Sequence, residues 1–264
     1  MQGHRKSQNA SVNNSEGDIN RWNEIACEYD AHITQGDFFR TRLLDPAVYE
    51  LLGDIKGRRA LDAGCGQGYL AHALSTQGAD VTAVDGSEKL IELARGHYKE
   101  SGQLRFSAHN LLTRFPFSND SFDIAVANMV LMDIDPIAPA LLELSRTLKP
   151  DGVFVFSILH PLFANGNVRK GLREYLTRAL PFYALQTYAM QHKKKWHIPG
   201  TTHATYVYAR SIEFYARSLR DAGFLIEDIR EPVLSRTEVE SKNGAMRLLA
   251  EIPMFLIVRA RKYI

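Results

Sequence analysis

Short apolar runs alternate with helix-type patterns along most of this chain. The runs at 59–63, 80–85, 104–107, 122–128 and 153–159 have the length and composition of buried strands. Between them, apolar residues recur every three or four positions, as expected for amphipathic helices. Strands that alternate with helices predict an α/β fold, in which right-handed crossovers produce a doubly wound parallel sheet with helices on both faces.

The same patterns set the expected boundaries of the domain. Residues 1–19 are polar and predict a disordered tail, and residues 20–264 predict a single domain. The remaining elements are predicted at 21–30, 42–52 and 211–222 for helices and at 224–229 and 254–258 for strands. The regular pattern is lost after strand five, so we interpret 161–209 as an insertion that covers the strand ends and the substrate.

Composition excludes several classes of protein. The 264 residues are 45% apolar and carry a net charge of +2, which are ordinary values for a globular protein with a sizeable core. The two cysteines, Cys27 and Cys65, are too few for a disulfide framework or a metal cluster, so we expect no metal. No apolar run approaches the roughly 18 residues of a membrane span, and the first residues do not resemble a signal peptide. We therefore expect a cytoplasmic protein.

The stretch at 60–70 combines a buried strand, a glycine-rich turn and the start of a helix. Gly64, Gly66 and Gly68 permit positive φ angles and let a ligand approach the backbone without meeting a Cβ atom. The helix that follows presents unpaired N–H groups to that ligand. We predict a ligand site at this turn, with Cys65 as a small filler rather than a nucleophile.

Three nucleotide-type ligands are associated with turns of this kind. A phosphate-binding loop requires Lys followed by Ser or Thr after the last glycine, and Tyr69-Leu70 stand there instead. A dinucleotide fold requires G-x-G-x-x-G, whereas the glycines here follow G-x-G-x-G. Asp85, 21 residues after Gly64, suits a ribose diol, and Asp62 suits an adenosyl sulfonium zwitterion better than a pyrophosphate. A nicotinamide-dependent oxidoreductase stays open as the second enzyme class.

Several motifs together resemble the class I S-adenosylmethionine-dependent methyltransferases. Leu61-Asp62-Ala63-Gly64-Cys65-Gly66-Gln67-Gly68 looks like the first motif of that family, and Val84-Asp85-Gly86-Ser87 looks like its ribose-binding strand end. Residues 115–123 and 148–152 resemble the segments that lead into its fourth and fifth strands. The resemblance implies a Rossmann-like sheet of seven mostly parallel strands with an antiparallel last strand, N-terminal helices and an insertion after strand five. It also implies S-adenosyl-L-methionine as cofactor and S-adenosyl-L-homocysteine as product.

Carried over by position, the resemblance assigns a role to each strand end. The glycines would pack against the methionine part of the cofactor, Asp85 would take the ribose hydroxyls, and Asn110-Leu111 would lie at the adenine. Asn128 would lie near the sulfonium and Arg40 would pair with the carboxylate, although Arg40 could equally be a surface charge and Tyr29 a core residue. The expected cofactor contacts are Tyr29, Arg40, Asp62, Gly64, Cys65, Gly66, Gly68, Asp85, Gly86, Ser87, Asn110, Leu111 and Asn128.

Methyl transfer from a sulfonium is an in-line displacement, which a protein assists mainly by aligning the acceptor with the methyl carbon. An oxygen or protonated amine acceptor also needs a base. His160, at the ligand end of strand five, is the first candidate for that catalytic role, and a structural histidine held by Pro161 is the alternative. Tyr206, His203 and Trp196, within the insertion, are the candidate substrate contacts.

The insertion is rich in aromatic and basic residues, a composition that is also found in nucleic-acid-binding surfaces. The low net charge argues against nucleic acid, as does Asn128-Met129-Val130-Leu131 in place of the Asn/Asp-Pro-Pro-aromatic motif of many DNA and RNA amino-methyltransferases. Residues 36–40 and 157–161 resemble bacterial small-molecule methyltransferases, including natural-product types, so we expect a small aromatic or anionic acceptor. O-methylation is the first expectation. N- or C-methylation, RNA methylation and a non-catalytic cofactor-binding domain are the alternatives, and the oligomeric state is open.

Overall fold

The computed structural model describes residues 2–161, 188, 191–198, 201–239, 250 and 252–263, with side chains from residue 16 onward. The strands are β1 (Arg59–Ala63), β2 (Asp80–Asp85), β3 (Leu104–Ala108), β4 (Phe122–Asn128), β5 (Leu148–Leu159), β6 (His192–Trp196), β7 (Thr205–Ala209), β8 (Phe224–Arg230) and β9 (Phe255–Lys262). The helices are α1 (Gln2–Thr34), a π-helix (Arg40–Leu44), α2 (Asp45–Leu52), α3 (Tyr69–Thr76), α4 (Glu88–His97), α5 (Ala138–Thr147), α6 (Ile212–Asp221) and α7 (Arg236–Val239). Among the described residues, none of these helices is long and apolar enough to cross a membrane.

Seven of the described strands form one sheet, in the order β3-β2-β1-β4-β5-β9-β8. Strands β1 to β5 are parallel, and β9 runs antiparallel to both of its neighbours. The predicted doubly wound, mostly parallel α/β fold with an antiparallel last strand is confirmed. The strand order reverses between β1 and β4, and at such a switch point the carboxyl ends of neighbouring strands leave a crevice for a ligand.

The central strands are apolar because both faces of the sheet are covered. Val126 on β4 and Phe154 and Phe156 on β5 are fully buried, as expected for parallel strands packed between two layers of helices. Ser87 caps the start of helix α4, because its hydroxyl accepts a hydrogen bond from the Leu90 N–H at 3.1 Å. The carboxyl end of β2 is thereby joined to α4 through a defined turn.

Helix α1 begins within the segment that we expected to be a disordered tail. The carboxylate of Asp18 is buried and accepts hydrogen bonds from the Tyr208 hydroxyl at 2.7 Å and from Lys193 Nζ at 3.0 Å. Ile19 packs so closely on Gly86 that a Cβ atom there would lie 2.9 Å from its Cγ1. These contacts join segments that are distant in the chain, so the local polarity of residues 1–19 did not reveal them. The helix therefore reaches the crevice beyond the strand ends.

The described part of the predicted insertion contains an antiparallel ribbon that the sequence pattern did not predict. β6 and β7 pair over their full length, with His192 opposite Ala209 and Trp196 opposite Thr205. The Tyr208 N–H donates a hydrogen bond to the Met132 carbonyl at 2.7 Å, which fixes the ribbon to the segment after β4. Residues 162–187, 189–190 and 199–200 lie outside the described residues.

Candidate active site

The three glycines after β1 serve different purposes. Gly64 and Gly68 have φ angles of 85° and 86° and are closely packed. A Cβ atom would lie 2.5 Å from Val130 Cγ2 at Gly64 and 2.7 Å from Phe106 Cε1 at Gly68. At Gly66, with a φ of 55°, the nearest atom to such a Cβ is Tyr29 Cε1 at 3.6 Å. Gly64 and Gly68 therefore permit packing within the protein, whereas Gly66 leaves space in which a ligand can approach the backbone.

Asp85, the last residue of β2, holds two turns together. Its Oδ2 accepts a hydrogen bond from the Gly66 N–H at 2.9 Å, and its Oδ1 accepts one from the Ser87 N–H at 2.8 Å. Burial raises the pKa of Asp85, while these two N–H groups lower it. The carboxylate is thus placed between the glycine turn and the start of α4, where the sequence expected a ribose contact.

A cavity of about 730 Å³ of empty space, including its open mouth, lies beside this carboxylate, and we call it the Asp85 cavity. Its walls include Asp85, Gly86 and Ser87 after β2, Asn110 and Leu111 after β3, and Trp22 on α1. Asn110 Oδ1 accepts a hydrogen bond from the Leu112 N–H at 2.9 Å, which fixes the turn beyond β3. The expected ribose and adenine contacts therefore lie together around one cavity.

A second cavity, of about 1290 Å³ including its mouth, lies on the other side of the glycine turn, and we call it the Arg40 cavity. It is bounded by Arg40, Asp62, Tyr69 and Trp196, and by Thr205 and Val207 on β7. The two cavities share Trp22, Tyr29, Gly64, Gly66, Asn128, Met129 and Asp133. They adjoin at the switch point of the sheet, so one elongated ligand could occupy both.

Arg40 presents an unsatisfied cation to the second cavity. Its Nε and Nη1 atoms are buried and have no hydrogen-bond partner in the described part of the chain. The guanidinium lies 4.1 Å from the centroid of the Tyr69 ring, and Nε is 3.9 Å from Asp45 Oδ2. Asp45 also accepts a hydrogen bond from the Tyr69 hydroxyl at 3.0 Å. Because buried N–H groups without partners are costly, this arrangement suits an anionic ligand group such as a carboxylate.

Asp62 presents the opposite charge to the same cavity. The residue is 1% exposed, and neither carboxylate oxygen has a hydrogen-bond partner of good geometry among the described residues. Burial, followed by the charge of Asp85, raises the pKa of Asp62 to about 7, against an opposing contribution from the Ala71 N–H. A cationic ligand group would favour the ionised form. A guanidinium whose Nε and Nη1 lack hydrogen-bond partners, together with an acid that lacks them too, is the complement of an amino-acid zwitterion.

Asn128, at the end of β4, is held by its neighbours. Its Nδ2 donates a hydrogen bond to the Tyr69 hydroxyl at 2.7 Å, and its Oδ1 accepts one from Ser157 Oγ at 2.5 Å. The next residue, Met129, has a φ of 60° and donates its N–H to Ser157. The network fixes the end of β4 where the two cavities meet.

Comparisons with known proteins point to one family. The family model described as "Methyltransferase domain" matches residues 61–156, the segment from the glycine turn to β5. A demethylmenaquinone methyltransferase of Renibacterium salmoninarum is 30% identical over 164 residues, which span 62% of this chain and 67% of that protein. A crystal structure of an S-adenosylmethionine-dependent methyltransferase from Mesorhizobium loti has a TM-score of 0.67 at 27% identity and covers 82% of this chain and 96% of that one. The chain belongs to the S-adenosylmethionine-dependent methyltransferases.

A further relative is similar over a shorter stretch. A ubiquinone biosynthesis O-methyltransferase of Bordetella avium is 33% identical over 140 residues, which span 51% of this chain and 56% of that protein. The segment shared with this relative covers little more than half of either protein.

The methyltransferase places nearly all of its expected cofactor residues on the two cavities. Gly68 is the exception, because it begins α3 and packs against β3 instead. Cys65 lines the Arg40 cavity, and burial raises its pKa well above that of a free thiol. A thiol in this state is a poor nucleophile, in agreement with the filler role. The unpartnered atoms of Arg40 and Asp62, and the position of Gly66 on the walls of both cavities, fit an adenosyl amino acid.

His160 lies at the end of β5, as predicted, but its ring is bonded elsewhere. Its Nε2 is 2.7 Å from Glu231 Oε1, and its backbone N–H donates to the Met254 carbonyl at 2.8 Å. The side chain is 3% exposed and is not among the described walls of either cavity. The role of His160 as a base stays a prediction.

The three expected substrate contacts do not lie together. Trp196 is part of the wall of the Arg40 cavity. Tyr206 lies outside that wall, with Arg21 and Lys193 at 4.5 and 4.6 Å from its ring centroid. His203 is 63% exposed and lies beside Glu28 on α1. Of the three, the structure brings Trp196 to the cavity.

Several residues on the walls of the two cavities were not expected from the sequence. Trp22 and Asp133 line both cavities, and Asp18 and Ile19 line the Asp85 cavity. Met129, which also lines both, was expected here as a strand-end neighbour of Asn128. Asp133 lies beyond that strand end in an irregular turn, and no spacing or motif marks it.

Proposed function

We propose that this methyltransferase transfers the methyl group of S-adenosylmethionine to a hydroxyl oxygen of a small organic acceptor. N- or C-methylation of a small molecule is the alternative. The observation that carries the proposal is the Arg40 cavity, which has unpaired atoms on Arg40 and Asp62 and continues well beyond them to the ribbon of β6 and β7.

When bound, the cofactor supplies an electrophilic methyl group on its sulfonium. In the proposed arrangement Arg40 holds its carboxylate, Asp62 its ammonium and Asp85 its ribose hydroxyls. Gly66 leaves room for close approach to the turn, and Tyr29 and Trp22, whose rings pack edge to face at 5.3 Å, cover the cofactor. The protein's contribution is to orient the methyl carbon toward the rest of the Arg40 cavity and to exclude water from it.

The walls of the Arg40 cavity support an apolar, aromatic acceptor. Phe39, Leu159, Trp196, Val207 and Phe255 are among them, and such a surface binds a ring by burial of apolar area. Among the lining residues that the structure describes, three are acidic, Asp37, Asp62 and Asp133, and one is an arginine, Arg40. This balance supports a neutral acceptor over an anionic one once Arg40 is engaged by the cofactor. One relative is named as an O-methyltransferase, which supports oxygen as the acceptor atom.

A screen with methyl-labelled S-adenosylmethionine tests the proposal. The protein is incubated with a metabolite extract and separately with total cellular RNA, and labelled products are identified by mass spectrometry. We expect a labelled small molecule that carries a new methoxy group, and its loss with Arg40→Gln. Label in RNA, or a labelled methylamine or C-methyl product, would contradict the proposal. Cofactor binding without any transfer would favour a non-catalytic domain.

His160→Gln tests the predicted base in the same assay. If His160 removes the acceptor proton, this variant should lower turnover by about 10²-fold or more while the affinity for S-adenosylhomocysteine stays unchanged. Turnover near that of the wild type would assign His160 a structural role through Glu231.

A further inference from the structure

Asp133 lies where the two cavities meet. It lines both of them, together with Gly64, Gly66 and Asn128. The residue is 6% exposed, and its carboxylate forms no hydrogen bond with any residue that the structure describes. Its oxygens keep some accessible surface and open onto the two cavities, where a ligand can supply a hydrogen bond or a positive charge.

The turn that carries Asp133 is firmly held. Arg210 Nη1 donates to the Leu131 carbonyl at 2.9 Å, and Nη2 donates to the Ile134 carbonyl at 2.7 Å. The Tyr208 N–H donates to the Met132 carbonyl at 2.7 Å. Arg210 and β7 therefore fix the backbone on both sides of Asp133, and the carboxylate is held toward the junction.

Arg210 is the nearby cation, but its side chain is engaged elsewhere. It is 1% exposed, and Nη2 also donates to Asp135 Oδ1 at 2.8 Å. Burial and then the charge of Asp18 raise the pKa of Asp133, with a smaller rise from Asp85, and Arg210 opposes them. A cation placed at the junction would favour the ionised form of Asp133, and a sulfonium is such a cation.

We propose that Asp133 faces the methyl group of the bound cofactor and accepts the proton of the acceptor nucleophile. This inference rests on the proposed function. As the acceptor oxygen forms its bond to the methyl carbon, the S–C bond breaks and its electron pair stays on sulfur. The O–H proton passes to a carboxylate oxygen of Asp133, and water removes it after product release. The acceptor is then a hydroxyl compound, or an amine, with no anionic group beside the reacting atom.

A binding measurement tests this placement without a known acceptor. Sinefungin is an analogue in which a carbon bearing a primary amine replaces the methylated sulfur, whereas S-adenosylhomocysteine has a neutral sulfur there. The wild type should bind sinefungin about tenfold more tightly than S-adenosylhomocysteine, because the ammonium donates a charge-assisted hydrogen bond to Asp133. Asp133→Asn should abolish most of that preference and retain the affinity for S-adenosylhomocysteine. Asp30→Asn, which removes the same charge from α1 outside the walls of both cavities, should keep the preference.

The outcomes separate the two proposals. Failure of the wild type to bind S-adenosylhomocysteine would overturn the proposed function itself. Binding of that ligand with no preference for sinefungin in the wild type, or with the same preference in Asp133→Asn, would overturn the placement of Asp133 alone. With the acceptor from the screen, Asp133→Asn should lower kcat by about 10²-fold or more and leave KM for the cofactor unchanged. A kcat within threefold of the wild type would overturn the proton transfer.

Discussion

The π-helix carries two arginines whose surroundings separate their roles. Arg40 has buried nitrogens without partners in the Arg40 cavity, whereas the side chain of Arg42 is 56% exposed and pairs with Glu238 on α7. Two positions on one short helix thus differ in what they can bind. The unsatisfied guanidinium, not the surface ion pair, is the one that a ligand carboxylate would complete.

Arg40→Gln should therefore weaken binding of S-adenosylhomocysteine by roughly 10- to 100-fold, because a hydrogen bond to a charged group contributes about 1.5–3 kcal/mol. Arg42→Gln removes the same charge at the surface and should leave the dissociation constant unchanged. Isothermal titration calorimetry compares the two variants. Equal dissociation constants would refute the carboxylate assignment.

Asp62 predicts a pH-dependent stability of a definite sign. Its pKa is about 7 in the folded chain against an ordinary value of 3.8, so folding favours its protonated form. The stabilisation from this group is complete below about pH 4 and is lost as the pH rises through about 7. Asp62→Asn should consequently be more stable than the wild type at pH 8, by up to about 4 kcal/mol at 1.36 kcal/mol per pKa unit.

Urea unfolding of the free protein between pH 4 and pH 8 measures this effect. The difference between the variant and the wild type should grow up to about pH 7 and then level off. The same variant should bind S-adenosylhomocysteine more weakly, because it lacks the acid that would hold the ammonium. A variant that is less stable than the wild type at pH 8 would show that Asp62 is stabilised by contacts of its own.

Gly64 provides a test of the packed glycine turn. Gly64→Ala would combine a positive φ with a methyl group 2.5 Å from Val130 Cγ2. Gly57→Ala has a similar φ of 72°, but nothing lies within 4 Å of the added atom. In the control, the free energy of unfolding should fall only by the cost of the left-handed conformation, about 1–2 kcal/mol. In Gly64→Ala it should fall clearly more, as measured by thermal or urea unfolding. Equal losses would mean that Val130 moves away from the added methyl group.

Among the structural elements, β7 explains why the substrate contacts were predicted poorly. Successive residues of a strand point to opposite faces. Thr205 and Val207 line the Arg40 cavity, whereas Tyr206 and Tyr208 face α1. There Asp18 accepts a hydrogen bond from the Tyr208 hydroxyl. Tyr206, an expected substrate contact, instead packs against Arg21 of the N-terminal helix, and Tyr208 attaches the same helix to the ribbon. A register difference of one residue would have reversed this arrangement, and no local pattern specifies it.

Tyr208→Phe should therefore destabilise the protein by about 1.5–3 kcal/mol, because it removes a hydrogen bond to the buried carboxylate of Asp18. For a chain of this size, the melting temperature should fall by roughly 2–4 °C per kcal/mol. Tyr206→Phe on the same face is the matched control, since the Tyr206 hydroxyl forms no hydrogen bond with a described residue. Differential scanning calorimetry compares the two variants, and an equal effect would show that the hydroxyl of Tyr208 contributes nothing.

For the whole molecule, the sheet could be predicted from local patterns. β1, β2 and β4 are apolar runs, and their bounds agree with the expectation. Gly64 follows β1, whereas β2 ends at Asp85 and β4 at Asn128. β5 begins earlier than predicted, because Leu148 already pairs with Phe122 before the register shifts. The Pro and Gly that follow Leu148 suggested a turn there. The positions of most expected cofactor residues could be predicted for the same reason, since these residues lie at strand ends.

The rest of the site depends on contacts between distant segments. Asp133 is fixed by Arg210 and β7, and Asp18 by Tyr208 and Lys193. His160 was located correctly at the end of β5, but the side to which its ring points depends on Glu231 after β8. Sequence periodicity carries no information on such pairings. In the proposed arrangement, these pairings between distant segments determine which residues contact the acceptor.

Calorimetric titration of S-adenosylhomocysteine into wild type, Asp85→Asn and Asp80→Asn tests the cofactor site most directly. Asp80 lies on the same strand as Asp85 but pairs with Arg105 at 2.5 Å, so its variant is a charge-matched control. We predict that the wild type and Asp80→Asn bind equally and that Asp85→Asn binds at least about tenfold more weakly. No binding by the wild type, or equal binding by all three proteins, would contradict a cofactor held between the glycine turn and Asp85.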